Sequence, residues 1–336
     1  MNKRNLIFSL IFLFLAVLSS SHLWHKDVWF HTDVARDFLV IRDMEETRKP
    51  TLLGPRSGSI QGIFHGPLWF YVNLPAFVLV QGDPVGMGLY WWCLGIFFLG
   101  GFFLLTKNVT GNVATSILTT ILLSGFILTK ITNLFNPYGA VFLSPFFFWT
   151  LFKFTQKPTF QSASLMWCLL GCMIQFQMAF AGPILLLVIP LFTWKVVATR
   201  KVTLVFSSCF LILTLSTFLL FDIRHDFLQT RSVFAYLTDH SQRSATFSQV
   251  FLHHSKSMLF DGWRITLEWK MLTPIIVLLW LWRGLSTTDQ KSRQLTLLFL
   301  YLYTGYWLLT LGFSGEIWEY YYLPFVPITI LWMTYI

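Results

Sequence analysis

The residues best suited to chemistry lie in one short polar stretch, HTDVARD at 31–37. If this stretch is helical, Asp33 and Asp37 are four residues apart on one face, and Arg36 lies beside them. Such a group could hold a general base and bind an anion, because the arginine favours the ionised form of at least one carboxylate. The same spacing is also that of a solvated amphipathic helix, in which the Asp residues act as a cap and as ion-pair partners.

Two further elements follow within the polar interval Trp29–Tyr71. A turn-rich segment, GPRSGS at 54–59, carries one cation, Arg56, and its backbone could approach a phosphate closely. It lacks the strand–loop–helix context of a P-loop, so a plain loop explains it equally well. The run FHGPLWFY at 64–71 places His65 before a series of aromatic residues. Anchoring at a membrane interface explains the aromatic residues but not the histidine.

Three polar side chains farther along the chain are candidates for substrate binding. Asn136 precedes Pro137, where an asparagine is most often a helix cap. Arg224 lies in a stretch that mixes charged and aromatic residues, as an interfacial amphipathic helix does, and anchoring is the simpler interpretation. Glu319 stands near the beginning of the last apolar run, where an acid favours a helix N-terminus.

The composition predicts a polytopic membrane protein. Of 336 residues, 55% are hydrophobic and only 12% are charged, whereas soluble domains have about 25% charged residues. The net charge is +9, but the basic residues stand singly or in pairs beside apolar runs, as topology signals do, which argues against nucleic-acid binding. The four cysteines lie inside apolar runs and are predicted to be small core residues, without a metal site or a disulfide framework.

The distribution of Lys and Arg predicts about ten transmembrane helices with both termini in the cytoplasm. The first is Asn5–Leu23, which we interpret as an uncleaved helix that delivers the next loop to the outside. The run Phe64–Val80 has 17 residues and two prolines, so we expect it to dip into the membrane without crossing. A crossing there would place the Lys and Arg residues of the later connections outside. The other spans are predicted at about 86–106, 112–130, 138–155, 162–180, 183–199, 203–222, 271–284, 294–312 and 320–336.

The predicted fold is therefore all-α and forms one domain over residues 1–336. Residues 25–85 form a first outer loop, with juxtamembrane helices and the membrane-dipping element. Residues 223–270 form a second outer loop. The run 162–199 is predicted to divide at Gly182-Pro183, and a different division of this run stays open from the sequence.

The order of these pieces resembles the GT-C superfamily of polytopic glycosyltransferases. Its members have a first helix, an outer loop with an early aspartate, an aromatic (K/H)-(P/G)-P-L-x-(F/Y)-(F/Y) element at the membrane, and a body of many spans. The chain is most similar to the bacterial family 39-like branch, which is related to dolichyl-phosphate-mannose-protein mannosyltransferases and includes lipid A aminoarabinose transferases. The resemblance is specific only in the first 80 residues. It implies a polyprenyl-phosphate-linked sugar donor and a site on the outer face of the plasma (inner) membrane.

Two of the candidate residues match motif positions of this family. Asp33 matches the early loop aspartate, which is commonly followed by Glu. Val34 stands in place of that Glu, and Asp37 is the nearby acid that could compensate for it. His65, in the HGPL sequence, matches the basic position that is implied to meet the donor phosphate.

The later part of the chain matches the family pattern less fully. Asn136 falls near a second outer-loop acid of the family, so that acid is missing here. Glu319 opens the sequence EYYYLP, which resembles a late aromatic-Leu-Pro element. Many relatives continue into further spans or an outer domain. This chain stops inside an apolar run, so we expect it to be short or truncated in comparison with those relatives.

The resemblance implies a mechanism as well as a fold. Asp33 would take a proton from a hydroxyl or amine of a glycan, lipid or protein acceptor in a single inverting displacement. A retaining mechanism would need a second carboxylate about 5 Å away, and Asp37 is the nearby candidate. A divalent cation on these two acids is conceivable, although hard cations prefer several oxygen ligands. The candidates for binding the donor phosphate are Arg36 and His65 first, followed by Arg56 and Arg224.

Three other interpretations stay open from the sequence. A transporter or flippase for a lipid or small solute would place ionisable residues and broken helices in the membrane, often in repeated halves. An O-antigen ligase or polymerase would rely on the Arg and His residues of the loop 223–270. An inactive structural relative would be consistent with Val34 and Asn136 at positions where the family has acids.

Overall fold

The computed structural model describes residues 3–57, 60–133, 135–238, 246–260, 272–313 and 317–336. In these residues every regular element is a helix, which confirms the all-α prediction, and the extended pairings are two isolated bridges. The helices are α1 Lys3–Ser19, α2 Ser21–Trp24, α3 Thr32–Thr47, α4 Leu68–Leu79, α5 Pro84–Thr110, α6 Val113–Lys130, α7 Pro137–Gln156, α8 Phe160–Phe176, α9 Met178–Thr199, α10 Cys209–Thr214, α11 Ser216–Arg224, α12 Leu228–Thr238, α13 Phe247–Phe260, α14 Leu272–Ser286, α15 Gln290–Thr310 and α16 Phe325–Tyr335. Short 3-10 helices cover Val202–Ser208 and Glu319–Tyr321.

Several of these helices have the length and composition of membrane spans. Within the described residues, four segments qualify, and a fifth qualifies if the bent pair α10–α11 with its preceding turn is one span. Large apolar side chains such as Phe97, which is 82% exposed, cover the outside of these helices, as expected where lipid replaces water. The four segments are Leu6–Trp24, Pro84–Thr110, Val113–Lys130 and Met178–Thr199.

The predicted membrane-dipping element contains the short helix α4. It has 12 residues, which at 1.5 Å per residue is about 18 Å, while a hydrocarbon core is about 30 Å thick. Its length therefore agrees with the prediction that this run does not cross. The helix packs against α3 through Phe38 and Phe77, whose ring centroids are 5.4 Å apart.

The prediction that the run 162–199 divides at Gly182-Pro183 is wrong. The break lies at Gln177, between α8 and α9, and α9 continues through Pro183. A proline removes the hydrogen bond to the carbonyl four residues earlier, which here belongs to Ala179. The Tyr306 hydroxyl donates to that carbonyl at 3.4 Å, so a neighbouring helix satisfies the group that the proline leaves free.

The predicted span 203–222 is also not a single helix. It consists of a 3-10 segment followed by α10 and α11, which meet near Leu215 at an angle of 63°. The bend frees the carbonyl of Thr214, and Gln175 Nε2 donates to it at 2.6 Å and to Thr217 Oγ1 at 3.0 Å. A buried side chain of α8 therefore replaces the backbone hydrogen bond that is lost at the bend.

Segments that were predicted to lie on the same side of the membrane contact one another. At one end of the bundle, Trp29 of the first loop forms a bridge with Asn133, and Phe135 packs against Tyr320 with ring centroids 5.0 Å apart. At the other end, the α7–α8 connection shares a cavity with the beginning of α15 and the end of α16. This is the grouping that the predicted topology requires.

Candidate functional site

The helix α3 presents the predicted acidic cluster at its first turns. His31 caps the helix, and its Nδ1 accepts from the Asp33 backbone N–H at 3.3 Å. Its Nε2 lies 2.9 Å from Asn133 Oδ1 and must donate, since an amide oxygen only accepts. This contact holds the beginning of α3 against the turn after α6. The buried residues recur every three or four positions on one face: Val34, Asp37, Phe38, Ile41 and Met44.

Arg36 joins the two predicted carboxylates. Its Nη1 donates to Asp33 Oδ1 at 2.9 Å, and its Nη2 and Nε donate to Asp37 Oδ1 at 2.9 and 3.1 Å. Trp69 Nε1, from the short helix α4, donates to the second oxygen of Asp37 at 2.8 Å. The structure therefore brings Asp33, Arg36 and Asp37 into one cluster and adds Trp69 to it.

The two carboxylates are not equivalent. The Asp33 side chain is 49% exposed, whereas Asp37 is 4% exposed and both of its oxygens accept hydrogen bonds. Burial raises the pKa of Asp37 to about 6, and the charge and hydrogen bonds of Arg36 oppose this rise. Only Asp33 is therefore accessible to a reacting molecule.

A buried polar network lies behind Asp37. Asn73 Nδ2 donates to the Trp69 carbonyl at 2.7 Å, and Asn73 Oδ1 accepts from Trp91 Nε1 at 2.7 Å. The Trp69 and Trp91 rings pack with centroids 5.0 Å apart. This network was not predicted from the sequence, although Asn73 is the single amide side chain in the otherwise apolar sequence LWFYVNLPAFVL. The network fixes the indole that orients Asp37.

His65 meets the break between α8 and α9. Its Nδ1 accepts from the Met178 backbone N–H at 3.4 Å, and the neighbouring Gly66 N–H donates to the Gln175 carbonyl at 2.9 Å. The ring is partly exposed but closely surrounded by protein atoms. Burial first, and the charge of Arg36 second, lower the pKa of His65 to about 4.

This environment corrects the predicted role of His65. A group with a pKa of about 4 is uncharged at neutral pH, so His65 is not the cation that was expected to meet a phosphate. Because Nδ1 accepts a hydrogen bond, the ring proton is on Nε2. No acceptor among the residues that the structure describes meets Nε2, so His65 can still donate one neutral hydrogen bond.

The burial of Asp37 and His65 predicts a specific dependence of stability on pH. The raised pKa of Asp37 gives stability that is present below its unfolded value of 3.8 and is lost as pH rises through about 6. The lowered pKa of His65 gives stability that is present above 6.5 and is lost as pH falls through about 4. The two contributions oppose each other over the same pH interval, and each is worth about 3 kcal/mol.

We therefore expect the cluster of the wild-type protein to contribute little pH dependence between pH 4 and 6.5. Asp37→Asn should expose the His65 contribution, so that thermal stability in detergent falls as the pH is lowered. His65→Gln should produce the opposite slope. Asp43→Asn, at an exposed position of the same helix, is the control, and parallel slopes in all four proteins would contradict the prediction.

The loop before α4 is held by two close backbone approaches. The Gly54 N–H donates to the His65 carbonyl and the His65 N–H donates to the Pro55 carbonyl, both at 2.8 Å. A Cβ on Gly54 would lie 1.9 Å from the carbonyl oxygen of Gly66. Arg56 pairs through its backbone with Phe64, and its side chain is exposed.

The remaining predicted site residues make contacts outside this cluster, and one of them has a different contact from the one expected. Asn136 makes no capping bond with its side chain; it is buried and its Nδ2 donates to the Phe176 carbonyl at 2.7 Å, at the end of α8. Asn136 thus occupies the N-cap position of α7, as interpreted from the sequence, but its side chain does not cap the helix. Glu319 forms an ion pair with Lys130 at 2.7 Å, and Arg224 is exposed at the end of α11.

The second loop packs on the first. Gln229 Oε1 accepts from the Phe64 N–H at 3.0 Å, and Asp222 accepts from the backbone N–H groups of Gln229 and Thr230, which fixes the beginning of α12. Parts of the predicted loop 223–270, with His240 and Arg243, lie outside the described residues. Within the described ranges, no three His, Cys, Asp or Glu side chains come together as metal ligands.

No family model matches this chain, and no curated protein or solved structure matches it either. Its function must therefore be inferred from the residues of the site. The site consists of an exposed carboxylate, an arginine that joins it to a buried carboxylate, a neutral histidine and the short helix α4.

Proposed function

We propose that this chain is an integral-membrane glycosyltransferase. It would move a sugar from a polyprenyl-phosphate-linked donor to an acceptor at the outer face of the plasma membrane, with Asp33 as the general base. The observation that carries the proposal is the difference between the two acids: Asp33 is accessible, while Arg36 and Trp69 enclose Asp37. A base must reach the proton that it removes, and Asp33 alone meets this condition.

The same difference favours a single inverting displacement. A retaining mechanism needs a second carboxylate as nucleophile, but Asp37 is buried and both of its oxygens are occupied. Asp37 instead acts as a positioning residue, because it fixes the guanidinium that holds Asp33. The acceptor oxygen or nitrogen would attack the anomeric carbon, its proton would pass to Asp33, and the polyprenyl phosphate would leave with the bonding electron pair.

The net charge of the cluster changes the order of the residues that are candidates for binding the donor phosphate. The cluster of Asp33, Arg36 and Asp37 has a net charge of −1 when both acids are ionised, and His65 is neutral. An arginine from outside the cluster is therefore needed to meet the leaving phosphate. Arg56 and Arg224 are the exposed candidates, since they lie on the two loops that pack together.

A groove beside α4 supports the lipid part of the proposal. It has a volume of about 210 Å³ and lies between α4, α8 and the bend between α10 and α11. Pro67, Leu68 and Leu213 supply apolar walls, and Thr214 and Ser216 add polar groups at the bend. The apolar walls would suit the first isoprene units of the donor, and the polar groups at the bend would lie near its phosphate end.

The number of membrane spans and the side of the membrane on which the termini lie are also part of this proposal. About ten spans, a GT-C-like fold and cytoplasmic termini are supported by the 12-residue length of α4 and by the grouping of the connections at two ends. Besides the four long apolar segments, α7 and α15 have 20 and 21 residues. A helix of that length covers about 30 Å, the thickness of the hydrocarbon core.

The function is tested by incubating the purified protein with a panel of donors and acceptors. Polyprenyl-phosphate sugars are expected to release polyprenyl phosphate and glycosylated product, detected by mass spectrometry. Nucleotide sugars without a lipid should give no product. Turnover of a nucleotide sugar in the absence of any lipid donor would refute the proposed class.

A lipid transporter is the second candidate, and one observation favours it. The Gln177 carboxamide is fully buried at the break between α8 and α9, and neither of its polar atoms has a hydrogen-bond partner in the described part of the chain. Broken helices with free polar groups are typical of transport sites. Movement of a labelled lipid phosphate across proteoliposomes without chemical change would support this function over transfer.

A further inference from the structure

A basic cavity lies at the end of the bundle opposite to the Asp33 cluster. The helix α7 begins at Pro137, near the contacts of the first loop, and its 20 residues lead to the cavity at its other end. That distance is about 30 Å, which equals the thickness of a hydrocarbon core. The cavity has a volume of about 530 Å³, within the range of small-ligand sites.

Three lysines from two connections line this cavity. Lys153 and Lys157 come from the end of α7, and Lys291 comes from the first turn of α15. None of them forms an ion pair with an acid in the part of the chain that the structure describes. The neighbouring Asp289 carboxylate accepts from the backbone N–H groups of Lys291 and Ser292, and its single negative charge offsets only one of the three lysines. The cavity is therefore positive.

Further cationic and polar groups surround these lysines. Lys201 Nζ donates to the Pro158 carbonyl at 3.1 Å, which adds a positive charge beside the α7–α8 connection. The N-terminus of the 17-residue helix α8 also faces this connection, capped by Thr159 and Ser162, which line the cavity. The positive end of a helix dipole favours an anion, and here it reinforces charges that are already present.

The other side of the cavity is aromatic and apolar. Trp149 and Tyr335 pack with ring centroids 5.8 Å apart, and Leu165 completes this wall. The Lys153 ammonium lies 5.6 Å from the Trp149 ring centroid. Tryptophan and tyrosine at this level are typical of the lipid headgroup region. A soluble phosphate would use the lysines but not the apolar wall, whereas a phospholipid would use both.

We propose that this cavity binds the phosphate headgroup of an anionic glycerophospholipid, which in the proposed topology belongs to the inner leaflet. The three lysines would meet the phosphate, and the Trp149–Tyr335 wall would meet the glycerol and the first methylenes of the chains. Basic pockets between helices at the cytoplasmic side are suited to such headgroups. This site is independent of the proposed sugar transfer.

The test measures retained lipid by native mass spectrometry, with phosphatidylglycerol and phosphatidylcholine titrated onto the purified protein. Wild type should bind phosphatidylglycerol at least ten-fold more tightly than phosphatidylcholine. Combining Lys153→Gln, Lys157→Gln and Lys291→Gln should weaken phosphatidylglycerol binding about 100-fold, or roughly five-fold per lysine. The corresponding triple change to Arg should keep the affinity, which separates lost charge from misfolding.

A matched control removes the same charge elsewhere at that end, through Lys107→Gln, Lys195→Gln and Arg283→Gln. The control should change the affinity less than three-fold. An equal loss in both triple variants would show general attraction to the interface and overturn the site. Displacement of the lipid by equimolar glycerol 3-phosphate would overturn the assignment to a lipid and identify a soluble phosphate site.

Discussion

Asp33→Asn should reduce sugar transfer by about 10²- to 10⁴-fold, the contribution of a positioned general base. The substituted amide keeps an oxygen that can accept from Arg36 Nη1, which donates to Asp33 Oδ1 at 2.9 Å in the wild type. The cluster should therefore keep its geometry and lose only the ability to take up a proton. Initial rates with the lipid donor identified by the donor panel provide the measurement.

Asp43→Asn is the matched control for this change. Asp43 is exposed and lies on the same helix, about 9 Å along the axis beyond Asp37, so its substitution should leave the rate within two-fold of wild type. Thermal unfolding of both variants should match that of the wild-type protein. A wild-type transfer rate in Asp33→Asn would show that Asp33 is not the general base. The class of enzyme would still be tested separately, by the sugar donors that the wild-type protein uses.

Among the single substitutions proposed, Gly54→Ala should cause the largest loss of stability. Its Cβ would lie 1.9 Å from the carbonyl oxygen of Gly66, and a backbone atom cannot move aside as a flexible side chain can. The loop would have to leave its place beside His65, with loss of the paired backbone hydrogen bonds at 2.8 Å. We expect a loss of about 3 kcal/mol in the free energy of unfolding and a reduction in transfer, measured by thermal unfolding in detergent.

Gly125→Ala is the control that separates the clash at Gly54 from a general effect of replacing glycine with alanine. A Cβ at Gly125 meets no atom within 4 Å, and alanine is the better helix former by about 0.5–1 kcal/mol. Its unfolding temperature should stay equal or rise slightly. Limited proteolysis should cut the first loop faster in Gly54→Ala alone, and equal protection of that loop in both variants would contradict the docked arrangement.

The features that the sequence predicted correctly depend on local patterns. The apolar runs predicted an all-α fold, and their spacing predicted the helix that brings Asp33, Arg36 and Asp37 together. The run 64–80, with its two prolines, was predicted to be too short for a full span, and its helix α4 has 12 residues. Each of these follows from periodicity or chain length, which residues close in sequence are enough to define.

The features that it could not predict depend on contacts between distant residues. Asp37 receives a hydrogen bond from Trp69, and Asn136 turns from its own helix to the Phe176 carbonyl. The helix α9 continues through Pro183, where Tyr306 of a neighbouring helix donates to the Ala179 carbonyl that the proline leaves free. The charge of His65 depended on burial that no local pattern reveals. Tertiary packing decided all four outcomes.

The contact of His65 and Gly66 with the break between α8 and α9 has a consequence for biosynthesis. The loop leaves the ribosome long before Gln175 and Met178, the residues whose backbone it binds, have been made. Since a chain folds as its segments emerge, the loop must wait for more than a hundred further residues. A nascent chain that stops before α9 is inserted therefore has Asp33 but no anchored loop beside it. The candidate site is therefore completed late in translation, and a partly inserted chain should lack the proposed transfer activity.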